Sequence, residues 1–164
     1  MVKTIYVASS WRNDGPLLDE AHQVLRSGGF NTFDFRVGGR WWHGLPDSGC
    51  PTDRWNQPDR VAAFERDFRG LRAADGTLLV LPAGTDSHIE AAWASGRGQA
   101  VVVWGDPREG TYELMLKVVL KDGGIVLPPS APIEDVVETF KALFASRESK
   151  IYTCPYGCEH EDDS

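Results

Sequence analysis

Short apolar runs alternate along this chain with segments in which apolar residues recur every three or four positions. The runs have the length and β-branched composition of buried strands, whereas the segments between them have the periodicity of amphipathic helices. Such alternation predicts βαβ units and a parallel sheet with helices on both faces. We therefore expect an α/β fold with a doubly wound, flavodoxin-like parallel five-stranded sheet in a single domain. The predicted strands are residues 5–8, 30–35, 77–81, 100–104 and 124–127.

Proline and glycine mark the ends of several predicted helices. Pro16 and Pro58 suit a first helical turn, where the missing N–H has no intrahelical partner, and Gly28 ends the first helix. The predicted helices are residues 16–26, 58–71, 87–97, 111–120 and 132–146. The residues predicted to form the buried face of the second helix are Val61, Phe64, Phe68 and Leu71.

Length, composition and charge limit the class of protein. The 164 residues are 41% hydrophobic and 25% charged, which suits one globular domain without disulfide support. The net charge of −7 argues against binding to a nucleic acid polymer or to an anionic membrane, since both attract positive potential. No apolar run approaches the roughly 18 residues of a transmembrane helix. The first strand follows Met1 so closely that we expect no signal peptide and a cytoplasmic location.

Two segments lack the pattern of a regular element. Residues 36–56 are rich in glycine, proline and tryptophan, and a loop of this length in a compact domain is commonly functional. Residues 151–164 are predicted to be an acidic, disordered C-terminal tail after a domain of residues 1–150. The alternative is a zinc site in the tail, for which the available ligands are Cys154, Cys158, His160 and, from the loop, Cys50.

The segment 86–90 follows the third predicted strand and opens the next helix. In an open α/β sheet, ligands bind where the carboxyl ends of strands meet helix N-termini. Glu90 is therefore a candidate reactive carboxylate, in a first helical turn whose dipole favours its ionised form. The alternative is a capping box, in which Ser87 caps the helix and Glu90 bonds back to it. His88 as a metal ligand would rest on a single histidine, so no metal is expected.

Other polar residues are placed near the same edge. Tyr6 lies in the first strand, and Ser9 and Arg12 follow it. Asp67 lies beside the apolar stripe of the second helix, a position that suits a group facing a cleft. The alternative interpretation is that Asp67 is a solvated carboxylate paired with a nearby arginine. Asp75 suits a turn before the third strand.

Three ordered blocks of the chain, residues 5–13, 64–75 and 86–90, together resemble the nucleoside 2-deoxyribosyltransferase family and its nucleotide N-glycosidase relatives. The resemblance implies that Glu90 attacks the sugar C1′ and that Tyr6 hydrogen-bonds this glutamate. It also implies that Asp67 contacts the substrate.

The resemblance extends to substrate-binding residues. In the nucleotide N-glycosidases, the loop after the first strand and the residues just before the nucleophile hold a 5′-phosphate. Members of this family also commonly complete each site with a neighbouring subunit, so a homodimer or higher homo-oligomer is expected, through exposed tryptophans and the apolar edge of the final helix. The residues that the resemblance places at the substrate are Ser9, Trp11, Arg12, Asp86, Ser87 and His88.

The sequence therefore predicts a cofactor-free enzyme that acts on the N-glycosidic bond of a nucleoside or nucleoside 5′-monophosphate. A covalent glycosyl intermediate on Glu90 would be resolved by a second base, which gives a transferase, or by water, which gives a hydrolase. A glycohydrolase acting on a dinucleotide such as NAD needs the same chemistry. A non-catalytic nucleotide-binding or sensing module is the alternative from another class.

Overall fold

The computed structural model describes residues 1–10, 15–37, 58–105 and 123–148, and in them the predicted alternation of strands and helices is confirmed. Five parallel strands form one sheet in the order β2-β1-β3-β4-β5, which is flavodoxin-like. The strands are β1 Thr4–Ala8, β2 Asn31–Asp34, β3 Gly76–Val80, β4 Ala100–Trp104 and β5 Ile125–Leu127. The described helices are α1 Pro16–Ser27, α2 Pro58–Ala73, α3 Thr85–Gly96 and α4 Glu134–Glu148.

These bounds differ from the predicted ones by one or two residues at most ends, and β4 matches at both. Four predicted features lie outside the described residues: the helix at 111–120, most of the loop at 36–56, the domain boundary at 150 and the tail at 151–164.

The sheet buries both of its faces, and the alternation of side chains along each strand divides them between two cores. On β1, Ile5 and Val7 face the core built with α1 and α4, while Tyr6 and Ala8 face the core built with α2 and α3. All four side chains are fully buried. Tyr6 therefore carries a polar hydroxyl into an apolar layer, where it needs a hydrogen-bond partner.

The predicted buried face of α2 is wrong in its first half. Val61 and Phe64 are 39% and 64% exposed, whereas Phe68 is half-buried and Leu71 is buried. With 16 residues at about 1.5 Å each, α2 is longer than the five-residue strands that it covers, so its first turns extend beyond the sheet. Helical periodicity alone does not report this difference in length.

The apolar residues of α4 and of the turn before it pack against the sheet and α1, which closes the first core. Those that are buried are Ile133, Val136, Val137 and Phe140, and those packed partly against them are Leu143 and Phe144. The contact of this helix with a second copy stays a prediction.

Candidate active site

Tyr6 and Glu90, which lie 84 residues apart in the chain, form the hydrogen bond on which the candidate site is built. The Tyr6 hydroxyl donates to Glu90 Oε1 at 2.9 Å. Tyr6 is on β1, and Glu90 is on the helix that follows the neighbouring strand β3. The fold thus brings together the two residues that the sequence marked for the reacting centre.

The start of α3 differs from the prediction. Gly84 is the N-cap residue, Thr85 is the first helical residue, and no described side chain caps this end. Ser87 lies inside the first turn, and its hydroxyl donates to the Ser9 carbonyl at 2.8 Å. The capping-box interpretation is therefore wrong, and Glu90 lies in the second helical turn rather than the first.

Burial dominates the protonation of Glu90. It raises the pKa of the Glu90 carboxyl from 4.5 to about 7; the hydrogen bond from Tyr6 opposes this change, and the charges of Asp67 and Asp86 add to it. Burial, which the dipole argument did not include, sets the direction of this change in the pKa of Glu90. Burial also raises the pKa of the Tyr6 hydroxyl, with Glu90 and Asp67 adding to it, so this hydroxyl remains a donor. A carboxyl that titrates near neutral pH suits a reacting group.

Asp67 lies beside this pair and is held by its own neighbour on α2. Arg66 donates to Asp67 Oδ1 from Nε at 3.0 Å and from Nη2 at 2.7 Å. Burial raises the pKa of the Asp67 carboxyl and Arg66 lowers it. Asp67 in turn raises the pKa of Tyr6 and of Glu90. Asp67 therefore lies near Tyr6 and Glu90. It is also paired with Arg66, as the alternative interpretation proposed.

Three of the predicted phosphate-binding side chains lie at this end of the sheet and bond to the backbone. The Ser9 hydroxyl donates to the Val80 carbonyl at 2.9 Å, as the Ser87 hydroxyl does to the Ser9 carbonyl. His88 Nδ1 lies 2.7 Å from the Gly84 carbonyl oxygen, so this nitrogen carries the proton. These bonds connect the ends of β1 and β3 to the start of α3. Both serine hydroxyls donate to backbone carbonyls.

The remaining predicted residues fall in different places. Asp86 is exposed in the first turn of α3. Trp11 and Arg12 lie outside the described residues. Asp75, predicted to be a turn residue, precedes β3 and accepts a hydrogen bond from the Thr4 amide at 2.8 Å, so it supports the start of β1.

Sequence reasoning misses Phe33 and Gly70, which support Tyr6. The Phe33 ring stacks on the Tyr6 ring with centroids 5.2 Å apart and an interplanar angle of 12°. A Cβ at Gly70 of α2 would lie 2.4 Å from Phe33 Cε2, so the absence of a side chain lets this helix approach the ring. A glycine inside a predicted helix signals a close approach, but it does not name the partner.

Gly70→Ala is expected to destabilise the chain by about 1–3 kcal/mol, because Phe33 must shift and such overpacking outweighs the gain in helix propensity of about 1 kcal/mol. Thermal unfolding measures this change. Gly96→Ala is the matched control, since no described atom lies within 4 Å of a Cβ at Gly96. If Gly70→Ala is as stable as Gly96→Ala, which changes helix propensity alone, Gly70 is not needed for this packing.

Within residues 1–10, 15–37, 58–105 and 123–148, no three His, Cys, Asp or Glu side chains are grouped so as to hold a metal ion. No helix in these ranges combines the length and hydropathy needed to cross a bilayer.

Comparisons with known proteins support the fold. No protein-family model matches the sequence, and no curated protein matches it. A 2-deoxyribosyltransferase from the bacterium Bacillus psychrosaccharolyticus superimposes with a TM-score of 0.58 at 21% identity, over 85% of this chain and 95% of that one. The CMP N-glycosidase of Clostridium botulinum does so with a TM-score of 0.53 at 12% identity, over 85% and 98% of the two chains.

A third solved structure has the same fold and another role. It is a streptococcal redox sensor of a family that evolved from two-component response regulators, with a TM-score of 0.52 at 17% identity, over 89% of this chain and 52% of that one. At these identities the three likenesses show the flavodoxin-like α/β fold. Two of the three proteins are of the kinds that the sequence resemblance names.

Proposed function

We propose that this chain is a nucleoside 2-deoxyribosyltransferase-like enzyme that cleaves or transfers the N-glycosidic bond of a nucleoside or nucleoside 5′-monophosphate. The hydrogen bond of 2.9 Å between Tyr6 and Glu90, with Asp67 beside it, carries the proposal. Burying a carboxylate costs free energy, and such groups are characteristic of functional sites. The fold shared with a 2-deoxyribosyltransferase and a CMP N-glycosidase also supports it.

The proposed reaction has two steps, each a displacement at C1′. An oxygen of ionised Glu90 bonds to C1′ while the bond from C1′ to the base nitrogen breaks, and the electron pair of that bond leaves with the base, which takes up a proton from solvent. Water or a second base then attacks C1′, releases a proton to solvent and displaces the Glu90 carboxylate. Tyr6 orients the carboxylate and lowers its pKa, which increases the ionised fraction.

For a nucleotide substrate, we place the 5′-phosphate at the start of α3. The first amides of a helix and the positive end of its dipole favour an anion, and no described side chain caps this end. Because Ser9 and Ser87 donate their protons to the backbone, the proposal assigns the charge-assisted contact to Arg12.

A homo-oligomer remains part of the proposal, as the resemblance implies. Phe64 on α2 and Ile89 on α3 are 64% and 60% exposed, and they offer apolar surface for a second copy. Light scattering at micromolar concentration should give at least a dimeric mass. A monomeric mass would remove this part of the proposal.

A substrate panel tests the proposed function. The chain is incubated with nucleosides, 5′-monophosphates and NAD, and free base is measured by chromatography. Base should be released from a nucleoside or a 5′-monophosphate. Release of nicotinamide from NAD alone would assign a dinucleotide glycohydrolase with the same Glu90 chemistry, whereas binding without release would assign a nucleotide-binding module.

A further inference from the structure

Arg66 connects Asp67 to the chain that leaves β2. Besides the two bonds to Asp67 Oδ1, its Nη2 donates to the Phe35 carbonyl at 2.6 Å, and its Nη1 donates to the Val37 carbonyl. Phe35 and Val37 follow β2 directly. One guanidinium therefore holds a carboxylate of the candidate site against the backbone of a neighbouring segment.

The number of donors limits what else Arg66 can bind. The four hydrogen bonds use four of the five N–H groups of a guanidinium. Little capacity remains for a substrate anion, so the hydrogen bonds of Arg66 reach the substrate through Asp67, while its charge also lowers the pKa of Tyr6. Both bonds to Asp67 end on Oδ1, and Oδ2 accepts none from the described residues. Because the Asp67 side chain is 24% exposed, Oδ2 is available as an acceptor.

The charges of the site agree with this geometry. The titratable groups around Asp67 are Tyr6 on β1 and Glu90 on α3, with Asp86 acting on Glu90, and Arg66 is the adjacent cation. Burial raises the pKa of Asp67 while Arg66 lowers it. Without Arg66, a partly buried carboxyl near a second carboxyl would take up a proton more readily.

We propose that Arg66 is a positioning residue of this site, which holds Oδ1 of Asp67 so that Oδ2 accepts a hydrogen bond from the substrate. The proposal rests on the function proposed above, in which Asp67 contacts the substrate. Two N–H groups on one oxygen fix the place and plane of the carboxylate. A lysine supplies only a point charge at the same position.

Two variants at this position test the proposal. Arg66→Gln should raise the pKa of Asp67. Carbon-13 NMR measures this titration, and the Asp67→Asn variant assigns the Asp67 signal. Arg66→Gln should also lower kcat/KM at pH 7 by about 10- to 100-fold. Arg66→Lys should restore the titration and regain only part of kcat/KM. Arg69→Gln, at an exposed arginine of the same helix, is the matched control and should change neither.

A double-mutant cycle shows whether Arg66 acts through Asp67. In an Asp67→Asn background, Arg66→Gln should lower kcat/KM by less than about twofold, because the two changes remove one interaction. A full further loss there would overturn the proposal.

The remaining outcomes are also decisive. An unchanged Asp67 titration in folded Arg66→Gln overturns the proposal, as does wild-type kcat/KM. If Arg66→Gln does not fold, wild-type kcat/KM in Arg66→Lys overturns it. If the wild-type chain releases base from no substrate, the proposed function fails, and the Asp67 titration still decides whether Arg66 holds this carboxylate.

Discussion

Replacement of Glu90 by glutamine is expected to abolish base release, with a loss in kcat of about a thousandfold or more. Glutamine has the shape of glutamate and can still accept the hydrogen bond from Tyr6, but its neutral amide neither attacks C1′ nor balances the positive charge that develops there. The rate is measured by chromatography of free base at pH 8, where most of Glu90 is ionised in the wild type.

The same variant should be at least as stable as the wild type at pH 8. The pKa of Glu90 is raised from 4.5 to about 7 in the folded chain, which therefore binds this proton more tightly than the unfolded chain does. The stabilisation from this proton is complete below about pH 4.5 and is lost as the pH rises through about 7. Glutamine does not ionise, so the stability of the variant does not fall as the pH rises through about 7.

Thermal unfolding at pH 5 and pH 8 measures the difference. Glu65→Gln, at an exposed position on α2, is the matched control and should leave base release and unfolding unchanged. If Glu90→Gln instead retains most of its turnover, or loses its fold together with its activity, Glu90 is a structural residue.

Tyr6→Phe is expected to lower kcat/KM at pH 7 by about 10- to 100-fold, the range for losing a hydrogen bond to a charged group. Phenylalanine keeps the ring that stacks on Phe33 and removes only the hydroxyl that donates to Glu90. That hydrogen bond lowers the pKa of Glu90, so its loss raises the pKa further and leaves less carboxylate at pH 7.

The pH profile separates this effect from a general loss of activity. The acidic limb of kcat/KM should move to higher pH in Tyr6→Phe, and part of the rate should return at pH 9 as Glu90 ionises. An acidic limb at the wild-type position would mean that Glu90 is not the group whose ionisation controls the reaction.

The local sequence pattern was sufficient to predict the strands of the sheet, but it did not predict where α3 begins. β4 could be placed at both ends because its apolar run is bounded by Gln99 and Gly105. At α3, Ser87 and Glu90 have the spacing of a capping box, yet Ser87 bonds across the sheet edge to Ser9. That contact joins residues far apart in sequence, so no local signal reports it.

The candidate site divides in the same way. Tyr6, Asp67 and Glu90 could be proposed because the resemblance marked their positions and the predicted topology places their elements side by side. The raised pKa of Glu90 could not be predicted from the sequence. A dipole argument uses only the position of Glu90 in its helix, whereas the burial that raises the pKa arises from packing. Arg66 was passed over for a related reason: an arginine beside an aspartate is common on helix surfaces, and only the fold brings it to the carbonyls after β2.

The covalent intermediate on Glu90 is the central claim, and mass spectrometry of a trapped adduct tests it most directly. A nucleoside with a 2′-fluoro sugar slows both displacements and allows the glycosyl-enzyme to accumulate. After proteolysis, the wild-type peptide that contains Glu90 should gain the mass of one glycosyl group, and the Glu90→Gln peptide should gain none. Release of base with no adduct on this peptide, or with an adduct on another residue, would contradict the account.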